Sequence, residues 1–135
     1  MLDKECIQSR GFTNVVIDGE ITGFQLNIRS LYYRGIWISQ LRPATVVVDG
    51  TSYSGDQVTW TIAGATYSQD ELGEQGDKHW GLLEPATLTI TCPGGLAQGV
   101  HDIEVVYTWS ASYMPPSLDT FFGSLFENKR RLVLV

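Results

Sequence analysis

Ile103-Glu104-Val105-Val106-Tyr107-Thr108-Trp109-Ser110-Ala111-Ser112-Tyr113 is the stretch whose reading decides the fold. Its odd positions carry Ile103, Val105, Tyr107, Trp109, Ala111 and Tyr113, and its even positions carry Glu104, Val106, Thr108, Ser110 and Ser112. Successive side chains of a pleated strand point to opposite faces, so a period of two marks a strand with one face in a core and one face wet. The same alternation sets Phe24, Leu26 and Ile28 against Gln25, Asn27 and Arg29, and Leu88, Ile90 and Cys92 against Thr87, Thr89 and Thr91. It returns at Val58, Trp60 and Ile62.

The punctuation between these runs agrees. Asp18-Gly19 and Asp49-Gly50 each separate β-rich segments, and Asp-Gly supplies the positive φ values of a type I′ hairpin turn. Gly64 after Ile62 and Pro93-Gly94-Gly95 after Cys92 mark further tight returns. About eight strands are expected, near 12–17, 20–29, 44–49, 52–53 with 56–62, 65–67, 86–92, 100–113 and 131–135. Many short strands with little helical periodicity between them predict an all-β chain, an antiparallel β-sandwich of jelly-roll or immunoglobulin-like type. Ser68-Gln69-Asp70-Glu71 has the pattern to cap one helical turn, which Gly73 and Gly76 keep short. Met114 to Lys129 is a second irregular stretch, because Pro115-Pro116 cannot donate to a ladder.

With 135 residues the chain is expected to form one domain spanning 1–135, and 43% apolar with 18% charged residues is ordinary globular composition. Its net charge of −6 opposes binding to a phosphate backbone, which demands concentrated Lys and Arg. Cys6 and Cys92 are too few for a disulfide framework or a zinc site and are expected to be free. The charged opening Met1-Leu2-Asp3-Lys4-Glu5 has no secretory apolar stretch, and no window approaches the ~18 apolar residues of a membrane span. A cytoplasmic location with no membrane partner is the expectation.

Little in the chain suggests chemistry of its own. His79 and His101 lack the close spacing of a metal-binding jelly roll, and even with Glu84 and Asp102 a structural role is the better expectation. No G-x-S-x-G elbow, P-loop or dinucleotide fingerprint occurs. Asp70, Glu71, Glu74, Asp77 and Glu84 read as solvated loop carboxylates more readily than as a glycosidase pair. No catalytic, cofactor-binding or metal-ligating residue is therefore expected.

Aromatic surface stands out instead. Leu31-Tyr32-Tyr33-Arg34-Gly35-Ile36-Trp37-Ile38 has bulky groups on both parities, so one sheet face cannot bury them all. Tyr113-Met114-Pro115-Pro116 and Phe121 to Phe126 repeat the pattern, and Tyr, Trp, Met and Arg are enriched at interface centres. For any one segment, packing beneath the molecule's own loops explains the residues equally well; the three together favour a partner. Tyr32, Tyr33, Arg34, Trp37, Tyr113, Met114, Pro115, Phe121 and Phe122 are the candidate partner contacts.

The order of several motifs carries a further signal: Met1-Leu2-Asp3-Lys4 with Cys6-Ile7; Tyr32-Tyr33-Arg34-Gly35; Glu84-Pro85-Ala86-Thr87-Leu88-Thr89-Ile90 leading to Pro93-Gly94-Gly95-Leu96; Gly99-Val100-His101-Asp102-Ile103-Glu104-Val105; Ser112-Tyr113-Met114-Pro115; and Arg131-Leu132-Val133-Leu134-Val135. In this order and spacing they resemble the small β subunit of bacterial C-glycoside deglycosidases over nearly the whole chain. The resemblance implies a heteromeric carbon–carbon lyase whose larger α subunit is a TIM-barrel protein similar to sugar isomerases and epimerases, holding a divalent metal such as manganese. It also implies cleavage of the carbon–carbon bond between a 3-oxo sugar and a flavonoid-type aglycone by elimination, with metal ligands and general base on the α chain. A metal can hold the enolate formed when the C2 proton leaves. This chain would be the non-catalytic subunit that stabilises or completes the site. The alternative is a stand-alone carbohydrate-binding β-sandwich using Trp37, Trp60, Trp80 or Trp109; Trp60 and Trp109 hold core parity, while Trp37 and Trp80 keep that reading open. A cupin-like metalloenzyme is a distant third.

Overall fold

Three hairpins of the molecule close on two-residue turns in which both residues lie in the left-handed region. These are Asp18-Gly19, Asp49-Gly50 and Ala63-Gly64, with φ between 49° and 86°. That is type I′ geometry, whose twist matches the strands it joins. The computed structural model describes residues 5–30, 36–81, 83–107, 109 and 128–134.

The first turn joins β1 (Thr13–Ile17) to β2 (Glu20–Ile28). β3 (Ile36–Trp37) follows, then β4 (Thr45–Val48) and β5 (Thr51–Tyr53) around the second turn, and β6 (Val58–Ile62) and β7 (Ala65–Ser68) around the third. β8 (His79–Trp80), β9 (Ala86–Thr91), β10 (Gly99–Val106) and β11 (Asn128–Leu134) complete the set. A five-stranded sheet runs β1-β2-β9-β6-β7, a four-stranded sheet runs β11-β10-β4-β5, and β3 pairs with β8 in a two-stranded ribbon. Every pairing between these strands is antiparallel. Helical structure among the described residues is confined to 3-10 turns at Ile38–Gln40, Gly55–Gln57 and Leu72–Glu74.

The alternation in the sequence becomes the core. Phe24, Leu26 and Ile28 of β2, Leu88 and Ile90 of β9, Val58, Trp60 and Ile62 of β6, and Ile103 and Val105 of β10 are all buried in one hydrophobic cluster. The inner faces of the two larger sheets meet there, as the edge-to-face contact of Phe24 on β2 with Tyr53 on β5 illustrates. All-β sandwich architecture is thus what the period of two produces.

Some expected boundaries are corrected. Residues 52–53 and 56–62 are not one strand: the Gly55–Gln57 turn separates β5 from β6 and carries the chain from one sheet to the other. β10 ends at Val106, although Tyr107 and Trp109 stay buried on the same parity; residues 110–113 lie outside the described residues. β3 and β8, two residues each, were too short to register as periodicity. The capping pattern at Ser68 is present: the Ser68 N–H donates to Glu71 Oε1 at 2.9 Å, the Glu71 N–H donates to Ser68 Oγ at 3.3 Å, and the next residues turn at Leu72–Glu74.

One buried polar side chain fastens the sheets. Gln69 donates from Nε2 to the Ala44 carbonyl at 2.9 Å and accepts at Oε1 from the Ala44 N–H at 2.6 Å and from Trp60 Nε1 at 3.0 Å. It thereby ties the residue just before β4 in one sheet to β6 in the other, with its own polar atoms satisfied, as burial requires. The indoles and phenol complete the join. Trp60, Trp80 and Tyr107 lie within 5.8–5.9 Å of one another centroid to centroid, and Trp109 packs on Tyr107 at 5.9 Å.

Trp109→Ala is expected to cost about 3–5 kcal/mol by emptying a buried aromatic site, read as a lowered denaturation midpoint. A variant that melts with the parent and instead loses sugar binding would make Trp109 a ligand platform.

Candidate subunit interface

The β3–β8 ribbon has two unlike faces. Ile36 pairs with Trp80 and Trp37 with His79, so Ile36 and Trp80 turn inward and are fully buried while Trp37 and His79 turn outward. Trp37 is 48% exposed, and its ring meets that of His79 at 5.0 Å in an edge-to-face pair. The ribbon is fastened from below. Trp80 sits between Trp60 and Tyr107 and donates from Nε1 to the Glu84 carbonyl at 2.7 Å; the Ile38 N–H donates to the Lys78 carbonyl at 2.9 Å. Beyond β8 the turn exposes Leu83, 82% accessible.

Of the expected partner contacts, Trp37 is the one the structure describes. Tyr32, Tyr33, Arg34, Tyr113, Met114, Pro115, Phe121 and Phe122 lie outside the described residues. Leu41, four positions after Trp37, forms an antiparallel bridge with Trp109, which precedes the second stretch. The expectation for Trp80 is corrected: its odd-looking position in the sequence belongs to a two-residue strand, and its indole is core.

The remaining polar candidates are dispersed. Among the described residues no three of His, Cys, Asp and Glu gather as an ion's donor set. His101 is occupied at both ring nitrogens, by Asp49 and the Ala97 carbonyl, and Asp102 is occupied by Arg131 at 2.7 Å. Asp70, Glu71, Glu74, Asp77 and Glu84 are exposed, and Glu71 serves as the cap on Ser68, whose backbone and hydroxyl bonds lower its pKa. Cys6 and Cys92 are free; burial pushes the Cys6 thiol up to about 12, which removes the thiolate a nucleophile needs.

Other apolar surface went unread in the sequence. Val16, Ile17 and Ile21 are exposed around the β1–β2 turn, and Val100 and Val133 face solvent side by side on β10 and β11. The adjacent Val15-Val16-Ile17, apolar on both parities, gave the same signal as the stretch around Trp37.

Comparison with known proteins adds a direct finding. Residues 2–113 match the family described as C-glycoside deglycosidase beta subunit. The chain is 47% identical over 116 residues to a C-glycoside deglycosidase beta subunit of Eubacterium cellulosolvens, covering 85% of this chain and 79% of that one. It is 25% identical over 113 residues to a protein of the same description from Arthrobacter globiformis, covering 83% and 86%. A 3'-dehydrocarminate deglycosidase beta subunit of a Microbacterium species is 25% identical over 95 residues, 70% of each chain.

Trp37→Ala in the free chain should change stability by no more than about 1 kcal/mol, because a half-exposed ring loses one aromatic contact and no core volume. Trp80→Ala, at the same ribbon but inward, should cost about 3–5 kcal/mol. Equal losses in thermal melts of the two variants would show that Trp37 is structural.

Proposed function

The chain belongs to the C-glycoside deglycosidase beta subunit family, and from that membership we propose that it is the non-catalytic partner of a larger α subunit which carries out the bond cleavage. In this reading the α subunit is a TIM-barrel protein of the sugar isomerase type, and it holds the divalent metal. The described residues of this chain offer no donor set for such an ion.

The substrate proposed is a 3-oxo-C-glycoside. The Microbacterium relative's name, with its 3'-dehydro substrate, supports that choice. A ketone at C3 acidifies the hydrogen on C2; when that proton is removed, the bond from C1 to the aglycone carbon breaks, a C1–C2 double bond forms, and the departing carbon takes up a proton. The base that removes the C2 proton is placed on the α subunit.

The observation that carries the role of this chain is the outward Trp37–His79 pair on a ribbon pinned by buried aromatics. An exposed aromatic anchor seated on a packed support is what interface hot spots are made of. It also weighs against a free-standing carbohydrate-binding module: Trp60, Trp80 and Trp109 are buried, and Trp37 is the one exposed tryptophan.

Two measurements check this. The full chain alone should release no aglycone from a 3-oxo-C-glycoside, and release should appear when the α subunit is added; turnover by the chain alone would contradict the assignment. Trp37→Ala should weaken association by about 1–4 kcal/mol, with activity partly recovered at high subunit concentration. Wild-type affinity would move the interface elsewhere.

A further inference from the structure

A second feature, independent of the subunit reading, lies where the chain crosses from β9 to β10, that is, from the five-stranded to the four-stranded sheet. The crossover begins with a turn in which the Gly95 N–H donates to the Cys92 carbonyl at 2.7 Å, with Gly94 at φ 84°. It is then clasped twice. Asn14 of β1 donates from Nδ2 to the Leu96 carbonyl at 2.9 Å and accepts the Leu96 N–H at Oδ1, also at 2.9 Å. A β-carbon on Gly95 would collide with Asn14, so this clasp requires glycine there.

The second clasp is His101. Its Nε2 lies 2.6 Å from the Ala97 carbonyl oxygen and its Nδ1 lies 2.6 Å from Asp49 Oδ2. Contacts this short fix the ring orientation, since a carbon donor sits at about 3.3–3.6 Å from an oxygen. Both partners are acceptors. A carbonyl has no proton to give, and the Asp49 carboxyl is held ionised: its pKa is lowered by the Asp102 backbone N–H, 2.9 Å from Oδ1, and by His101. A neutral imidazole has one N–H and would point a lone pair at one of these oxygens. We infer that His101 stands in the folded chain as a doubly protonated imidazolium, bracing the β9–β10 crossover against the β4–β5 turn, and that the brace opens when its proton leaves.

The surroundings fit that charge. The His101 side chain is only 11% exposed, faces inward on β10, and packs edge to face on Phe12 at 6.0 Å. The ionisable groups around the brace are Asp49 on the β4–β5 turn, Asp102 next along β10 with its Arg131 partner on β11, and Tyr53 on β5, which burial and Cys92 push up to about 12. The Ala97 carbonyl and the Asp49 carboxylate raise the His101 pKa above its ordinary value, against the opposing effect of burial. The sign follows. A raised pKa in the folded state gives stability that is fully present below the ordinary histidine value and is lost as pH rises through the folded one. Asp49, lowered, acts at the other end, its contribution being lost only as pH falls through its depressed value.

Long-range proton–nitrogen NMR of the uniformly nitrogen-15-labelled full chain tests this, since His79 and His101 are the only histidines. His101→Gln, or His79→Gln if the former does not fold, assigns the two rings. Near neutral pH the His101 ring should show both nitrogens protonated, with a titration midpoint above the ordinary value of about 6.5, and the backbone signals of residues 96–99 should move with the same midpoint. Asp49→Asn should lower that midpoint. One unprotonated His101 nitrogen near neutral pH would overturn the charge assignment, and crossover signals that ignore the titration would overturn the brace.

Discussion

The packing of Trp60, Trp80 and Tyr107 is the interaction on which the rest depends. Trp60 comes from the five-stranded sheet, Trp80 from the two-stranded ribbon, and Tyr107 from the residue just beyond β10 of the four-stranded sheet, so one aromatic cluster is shared by all three layers. Rings of this size supply large buried area, and the edge-to-face contacts of Trp60 with Trp80 and Tyr107 fix direction as well as distance. A two-residue ribbon has almost no ladder of its own to hold it. It is placed by Trp80, and that placement turns Trp37 outward.

The polar groups inside this join are the reason the sheets meet in one way. Gln69 satisfies the Ala44 backbone and the Trp60 indole together, which an apolar residue of similar volume cannot do without leaving buried donors unpaired. His101 and Asn14 act on the β9–β10 crossover. Specificity of this kind comes from acceptors and donors whose positions are fixed relative to both sheets.

Much of the fold was legible because burial on one face imposes a period of two. The described apolar residues of the runs at Phe24, Val58, Leu88 and Ile103 lie in or against the core, and the Asp-Gly pairs became turns, since few dipeptides tolerate two positive φ values. What escaped were features without a period. Trp80 lies in a strand too short to alternate, Gln69 sits in a stretch that reads as polar loop, and the split between β5 and β6 depends on three residues of turn. Apolar residues on both parities mark the segment that carries the exposed Trp37, and Val15-Val16-Ile17, with Val16 and Ile17 exposed, carries the same pattern. The family was legible from the order of motifs, which the match over residues 2–113 establishes.

Trp37 is the one exposed indole beside the buried Trp60, Trp80 and Trp109, which makes side-chain oxidation a direct probe of the interface. Hydroxyl-radical footprinting of the full chain, alone and bound to the α subunit, reads all four by mass spectrometry. The proposed interface predicts that Trp37 oxidises readily in the free chain and is protected in the complex, with the buried indoles slow in both. Equal oxidation of Trp37 in both states, with protection falling on the Val16–Ile21 hairpin or the β10–β11 face, would contradict it.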